Sequence, residues 1–226
     1  MHKRDARANY RREWPSADYV HDFDIDLEKR DIFLFGREDS YVEADEPGVD
    51  YRMANRFIKN LRILQSLASD PILIHMKTNG GIWEEGIAIY QAIKACPNHV
   101  TILNYTHARS MSSIILQAAD WRAMFPFSVF MYHDGTITTD GTVKQFWTEG
   151  EQLKAQTKLM FDIYLESCEE APAFKGKSRA QIRQHLRYQM DKKEEVYLTA
   201  EETVEHGFAD VVFGSGDKYD WESLRK

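Results

Sequence analysis

The chain has 226 residues, 43% of them hydrophobic and 29% charged, with a formal net charge of −7. That balance suits a globular protein long enough for one domain with a substantial core. It counts against a surface built to coat nucleic acid, which needs clustered Lys and Arg. No apolar run is long enough to cross a bilayer, so no membrane partner is expected. Met1-His2-Lys3-Arg4-Asp5 is basic but has no apolar region behind it, which speaks against a secretory signal and for a cytoplasmic protein. The two cysteines, Cys96 and Cys168, form no CxxC pair. They read as reduced packing residues, and neither a metal nor a cofactor is called for.

Residues 1–20 are charged and aromatic without a clear period and read as a flexible N-terminal arm; residues 21–226 read as a single domain. Asp31–Gly36 is a buried strand closed by glycine, and the acidic stretch Tyr41–Asp50, with Pro47 and Gly48, is a loop. Met53, Phe57, Ile58, Leu61, Leu64 and Leu67 recur at helical spacing. Pro71–Met76 is the next strand, broken by Asn79-Gly80-Gly81, and Trp83–Lys94 reads as a helix. A strand over Val100–Tyr105, a helix over Ser110–Ala119 and a strand over Val129–Tyr132 follow. Strands alternating with helices predict an α/β fold with right-handed crossovers. After Asp134-Gly135 a long, charged helix is expected from Thr142 to about Glu170, too long to hide in a small core and suited to packing on a partner subunit. A helix over Ser178–Met190 and an extended piece at Val196–Leu198 come next. The capping box Thr199-Ala-Glu-Glu202 opens a brief helix that Gly207 ends, and Asp210–Phe213 is the last strand.

Ser110 lies where a strand gives way to a helix, so unpaired backbone N–H groups and the positive end of the helix dipole face it. Such a position suits a nucleophile, but a serine there is more often a helix cap, and Ser112 and Ser113 are rivals. Gly80-Gly81 allows a sharp turn and close approach of a carbonyl, and an N–H there could share an oxyanion with that of Met111. His133 ends a strand beside a polar loop and can take a serine proton near neutral pH. His75, mid-strand, and His107, near Ser110 in sequence, are its competitors. A carboxylate would orient the imidazole, and spacing leaves Asp134, Asp191, Glu194 and Glu195 open.

Together these segments resemble the Clp protease proteolytic subunit, ClpP, of peptidase family S14. Thr78-Asn-Gly-Gly81 is similar to its Ser-Pro-Gly-Gly turn, and Ala108-Arg-Ser-Met-Ser112 to its Ala-Ala-Ser-Met-Gly nucleophile turn, with Ala118-Ala-Asp120 following. Val129–His133 resembles the strand ending in the catalytic histidine. Glu195-Val-Tyr-Leu-Thr-Ala200 and Glu205-His-Gly-Phe-Ala-Asp210 resemble Asp-Arg-Phe-Leu-Ser-Ala and Glu-Tyr-Gly-Leu-Val-Asp. The resemblance implies a ClpP/crotonase-like fold of stacked ββα units. It implies a serine endopeptidase with the triad Ser110, His133 and Glu195 and an oxyanion hole from Gly80, Gly81 and Met111. It implies a handle over residues of about 136–175, a ring homo-oligomer (usually heptameric, in double rings), unfolded polypeptides as substrates and an ATP-driven AAA+ unfoldase as partner. Departures are Glu195 for aspartate, Arg109 for alanine, Asn79 for proline, Ser112 for glycine and the acidic loop Tyr41–Asp50. They leave room for a non-catalytic or regulatory ring subunit or a phage capsid-maturation protease on the same fold. An acyl-CoA enzyme of the crotonase type is a further alternative, without the serine–histidine pair.

Overall fold

The structure, a computed structural model, describes residues 17–36, 46–138, 140–214 and 219–225. Residues 1–16 of the expected N-terminal arm and residues 41–45 of the acidic loop 41–50 lie outside them. Residues 17–20 of that arm fall in a helix, α1 (Ala17–Phe23).

Parallel strands form the centre. In spatial order the sheet runs β1 (Ile25–Asp26), β2 (Asp31–Phe35), β3 (Ile72–Thr78), β4 (Val100–Arg109), β5 (Trp121–Met124) and β8 (Val211–Val212), with only β1 antiparallel to its neighbour. Both faces are covered, so the central strands are apolar at consecutive positions rather than at alternate ones. Ile72, Ile74, Met76 and Ile102 enter the main core, while Leu73 and Leu103 face a second cluster with Phe213 and Leu224.

Helices α2 (Tyr51–Leu67), α3 (Trp83–Lys94) and α4 (Met111–Leu116) supply the main core. Helix α2 begins where the Asp50 carboxylate accepts the Arg52 and Met53 N–H groups, satisfying two of the donors every helix start leaves open.

Strand β4 forks. Its first half pairs with β5 through Thr101–Asn104, and its last residues, His107–Arg109, pair with β6 (Val129–Tyr132). The register against β3 jumps between Met76↔Asn104 and Thr78↔Ala108, so β4 carries extra residues there. Such a bulge bends and re-aims a strand. It lets one strand serve two neighbours and carries the chain into Ser110 beside β6. On its other side β6 pairs antiparallel with β7 (Val196–Thr199).

Helix α5 (Val143–Cys168) opens with a capping box between Thr142 and Gln145. Its second half buries Phe161, Tyr164, Leu165 and Cys168, while Val143, Phe146 and Trp147 at its start are exposed. The expected projecting helix is therefore present. Helices α6 (Arg179–Lys193) and α7 (Ala200–Glu205) both carry capping boxes, the second at Thr199 and Glu202 as the sequence predicts. Among the described residues no helix is long and apolar enough to cross a membrane.

Candidate active site

Ser110 sits between β4 and α4 with φ 52° and ψ −125°. Few residues other than glycine adopt such a backbone, and it costs energy. Several contacts hold it there. Ser110 N–H donates to Met131 O at 2.9 Å, fixing the turn to β6. The buried Ser112 hydroxyl, one proton shared between two carbonyls, lies 2.7 Å from both Thr78 O and Arg109 O and accepts Arg109 N–H at 2.9 Å. Ser113 Oγ donates to Ser110 O at 2.5 Å, which leaves it to accept from the Tyr164 hydroxyl of α5 at 2.6 Å. The two rival serines thus brace the turn from inside the core, and Ser110 alone of the three is half-buried.

The Gly-Gly turn backs onto this bend. A Cβ on Gly80, at φ +98°, would lie 2.6 Å from Arg109 O and 2.7 Å from Ser110 Cβ. Gly80 O accepts Val49 N–H at 2.7 Å, and Gly81 bridges Val49, so that segment holds the turn from behind. A Cβ on Gly86 of α3 would strike the Met111 side chain, whose buried thioether therefore fills the space beside that helix. Gly80, Gly81, Ser110 and Met111 are contiguous as a result.

His133 follows β6 directly, and its Nε2 is 2.7 Å from Ser110 Oγ. Of the histidines weighed from sequence, this is the one the fold brings to the serine. His75 is buried on the far side of the sheet, bonded to the Tyr105 hydroxyl at 2.9 Å and 3.2 Å from Asp31. His107 meets Thr106 at 3.0 Å. Burial first, then the Arg109 charge, keeps the His107 imidazole below its ordinary pKa, with Lys77 adding to this and Glu46 opposing it.

The acids behave differently. Asp134 is taken by an ion pair with Arg187 of α6, and Asp191 lies 3.9 Å from the same guanidinium. Extending the β6–β7 register one residue past Tyr132↔Val196 sets Glu195 opposite His133. Its carboxylate, however, accepts the Tyr197 hydroxyl at 2.8 Å, and among the described residues no carboxylate is paired with the His133 ring. Tyr197, which carries the Arg109 guanidinium 5.5 Å from its ring centroid, has no local signal marking it as a neighbour of the acid.

Ser110 and His133 open into a cleft of about 700 Å³ between α3, the segment after His133 and α5. Met111, Ile114, Leu153 and Met160 give it an apolar side, and backbone-rich Gly135–Thr138 forms one rim. Among the described residues no group of His, Cys, Asp and Glu is placed to hold a metal ion. A serine hydroxyl against an imidazole, in a cleft beside a glycine turn, can do acyl-transfer chemistry.

The chain has relatives in both fold and sequence. A ClpP1 mutant from Listeria monocytogenes superposes with a TM-score of 0.67 at 19% identity, covering 88% of this chain and 96% of that one. ATP-dependent Clp protease proteolytic subunit 2 of Pseudomonas aeruginosa is 24% identical over 170 residues, 74% of this chain and 78% of the relative. Proteolytic subunit 1 of Streptomyces avermitilis is 28% identical over 172 residues, 75% and 73% of the two chains. The model of the Clp protease family matches residues 39–216, a span that holds the forked strand, the strained serine, the histidine and the projecting helix. By that match the chain belongs to the Clp protease family, and its fold is the ClpP fold.

Proposed function

We propose that this protein is a serine endopeptidase of the Clp type, with Ser110 as nucleophile and His133 as general base. The observation that carries the reading is the 2.7 Å contact between Ser110 Oγ and His133 Nε2 at a strained, internally braced turn. Ser110 Oγ attacks the scissile carbonyl carbon while its proton passes to His133 Nε2. The carbonyl oxygen becomes an oxyanion, met by N–H groups of the Gly80-Gly81 turn and of Met111. Collapse breaks the C–N bond, and His133 returns the proton to the leaving amine. Water then repeats the sequence on the acyl-enzyme and frees Ser110. Glu195 is the acid that would orient His133 and balance its charge.

The exposed start of α5, with Val143, Phe146 and Trp147, supports assembly with further copies into a ring-shaped chamber. An ATP-driven unfoldase would feed that chamber unfolded polypeptide. The cytoplasm is the proposed compartment. The test is labelling of the purified, assembled protein with a fluorophosphonate, with Ser110→Ala as control. Adduct on Ser110 and hydrolysis of an unstructured peptide are expected; an assembled protein unlabelled at Ser110 overturns the reading.

A further inference from the structure

We propose that Tyr197 is a positioning residue that latches Glu195 away from His133, so that the third member of the triad is withheld until the latch opens. This rests on the assignment of Ser110 and His133 given above. Continuing the ladder one residue past its last pair, Tyr132↔Val196, sets Glu195 across from His133, at a spacing where Cβ atoms in antiparallel pairs are about 4.5–5.5 Å apart. Glutamate has the length to span that gap. Its carboxylate nevertheless bonds along its own strand, to the hydroxyl two residues on, at 2.8 Å. Residues two apart on a strand share a face, so the Tyr197 ring and His133 approach Glu195 from the same side of the sheet.

Two further features bear on the latch. Arg109 pairs with Met131, and Met131 pairs with Tyr197, so Arg109, Met131 and Tyr197 form one row across three strands. The Arg109 guanidinium lies against the Tyr197 ring at 5.5 Å and adds a cation–π contact. The latch is therefore pinned by the residue that immediately precedes the nucleophile. The second feature is strain. Glu194 has φ 62° and ψ −60°, and Glu195 N–H donates back to Lys193 O at 2.7 Å. That is a γ-turn of the positive-φ kind, which is rare and strained for a side-chain-bearing residue. It stands immediately before the acid, on an exposed turn. Rotation of the Glu195 side chain, with relaxation of this turn, would exchange one acceptor contact for the other: the Tyr197 O–H is released and the His133 Nδ1–H is taken. No bond other than these hydrogen bonds changes.

The latch hydrogen bond has a charged acceptor, so opening it is worth about a tenfold change in rate or somewhat more. The experiment compares wild-type, Tyr197→Phe and the double variant Tyr197→Phe/Glu195→Gln. For each, the rate of fluorophosphonate adduct formation at Ser110 is measured at saturating reagent, together with kcat and KM for an unstructured peptide. Tyr197 is 45% exposed, so losing its hydroxyl leaves the core untouched. Tyr197→Phe is expected to raise the adduct rate and kcat about tenfold with KM unchanged, because the freed carboxylate can orient His133. The double variant is expected to lose the whole gain. Labelled wild-type protein with no gain in Tyr197→Phe, or a gain that survives Glu195→Gln, overturns the latch and leaves the peptidase reading standing. Absence of adduct in every variant overturns the peptidase reading, and the latch with it.

Discussion

Strain at Ser110 has a measurable consequence. Its backbone, at φ 52° and ψ −125°, lies in a region glycine enters freely and other residues enter at about 1–3 kcal/mol. Ser110→Ala and Ser110→Gly both delete the hydroxyl and its contact with His133, so their difference isolates the Cβ. At an ordinary position glycine is less stable than alanine by about 0.5–1 kcal/mol through chain entropy. Here relief of strain exceeds that cost, leaving glycine ahead by about 0.5–2 kcal/mol. For a chain of this size 1 kcal/mol moves Tm by about 2–4 °C, so Ser110→Gly should melt a few degrees above Ser110→Ala. The assay is thermal or urea unfolding of both variants at equal protein concentration and matched oligomeric state, since assembly itself shifts Tm. Neither variant should hydrolyse peptide. An alanine variant as stable as the glycine variant, or more so, would refute the claim that the Ser110 turn holds strain.

Three other outcomes follow from the same contacts. Gly80→Ala forces a Cβ to within 2.6 Å of Arg109 O at φ +98°, and should cost about 2–5 kcal/mol in urea unfolding and abolish adduct formation at Ser110. At Asp50 burial opposes ionisation, but the Met53 N–H, the Arg52 side chain and the Arg52 N–H outweigh it and hold the carboxyl below its ordinary value. A depressed carboxylate stabilises the fold above its unfolded pKa, and that contribution is lost as pH falls through the folded value. The gap between wild-type and Asp50→Ala, about 0.5–2 kcal/mol at neutral pH, should thus stay constant to mildly acidic pH and shrink below it, as read from unfolding at a series of pH values. The Cys168 thiol is fully buried, and burial pushes its pKa up to about 12, so iodoacetamide should modify it only after denaturation, as mass spectrometry of the peptides can show.

Much of this architecture is legible locally. Apolar runs closed by glycine or proline mark β2, β3 and β6, and the capping box at Thr199 announces α7 within a residue. The second half of β4 is not legible, because Thr106, His107 and Arg109 are polar and at least partly exposed where the strand turns to meet β6, leaving Ala108 as the buried apolar residue of that stretch. Helix α4 ends at Leu116 rather than Ala119, since the chain turns early to bring Asp120 onto Val100 N–H at 2.8 Å. Strand β5 escapes notice because its Arg122 reads as surface, yet Asp210 pairs with that guanidinium at 2.6 Å across the sheet. His133 is marked by the recognisable strand it ends, and Ser110 by the order in which its Ser-Met turn stands between the Gly-Gly turn and that strand. What Glu195 touches depends on the β6–β7 register and on a hydroxyl two residues away, and neither leaves a local mark.

The two strained residues of this site, Ser110 and Glu194, are held very differently. Ser110 is fixed by Met131 O behind it and by the Ser112 and Ser113 hydroxyls beneath it. The buried Tyr164 of α5 backs Ser113, and Gly80 packs against the bend. Shifting it would disturb β6, the Gly-Gly turn and the projecting helix together. Glu194 has backbone bonds from its own N–H to Met190 O and across it from Glu195 to Lys193, and it is exposed. Comparable strain with fewer anchors yields first when a competing contact is offered. In the proposed mechanism the Ser110–His133 pair is therefore the preorganised part of the site, and Glu195 the adjustable part. Tyr164 marks where the first could still be loosened. Its hydroxyl hydrogen-bonds Ser113, which in turn holds Ser110 O, so movement of α5 in an assembly would reach Ser110 through Ser113.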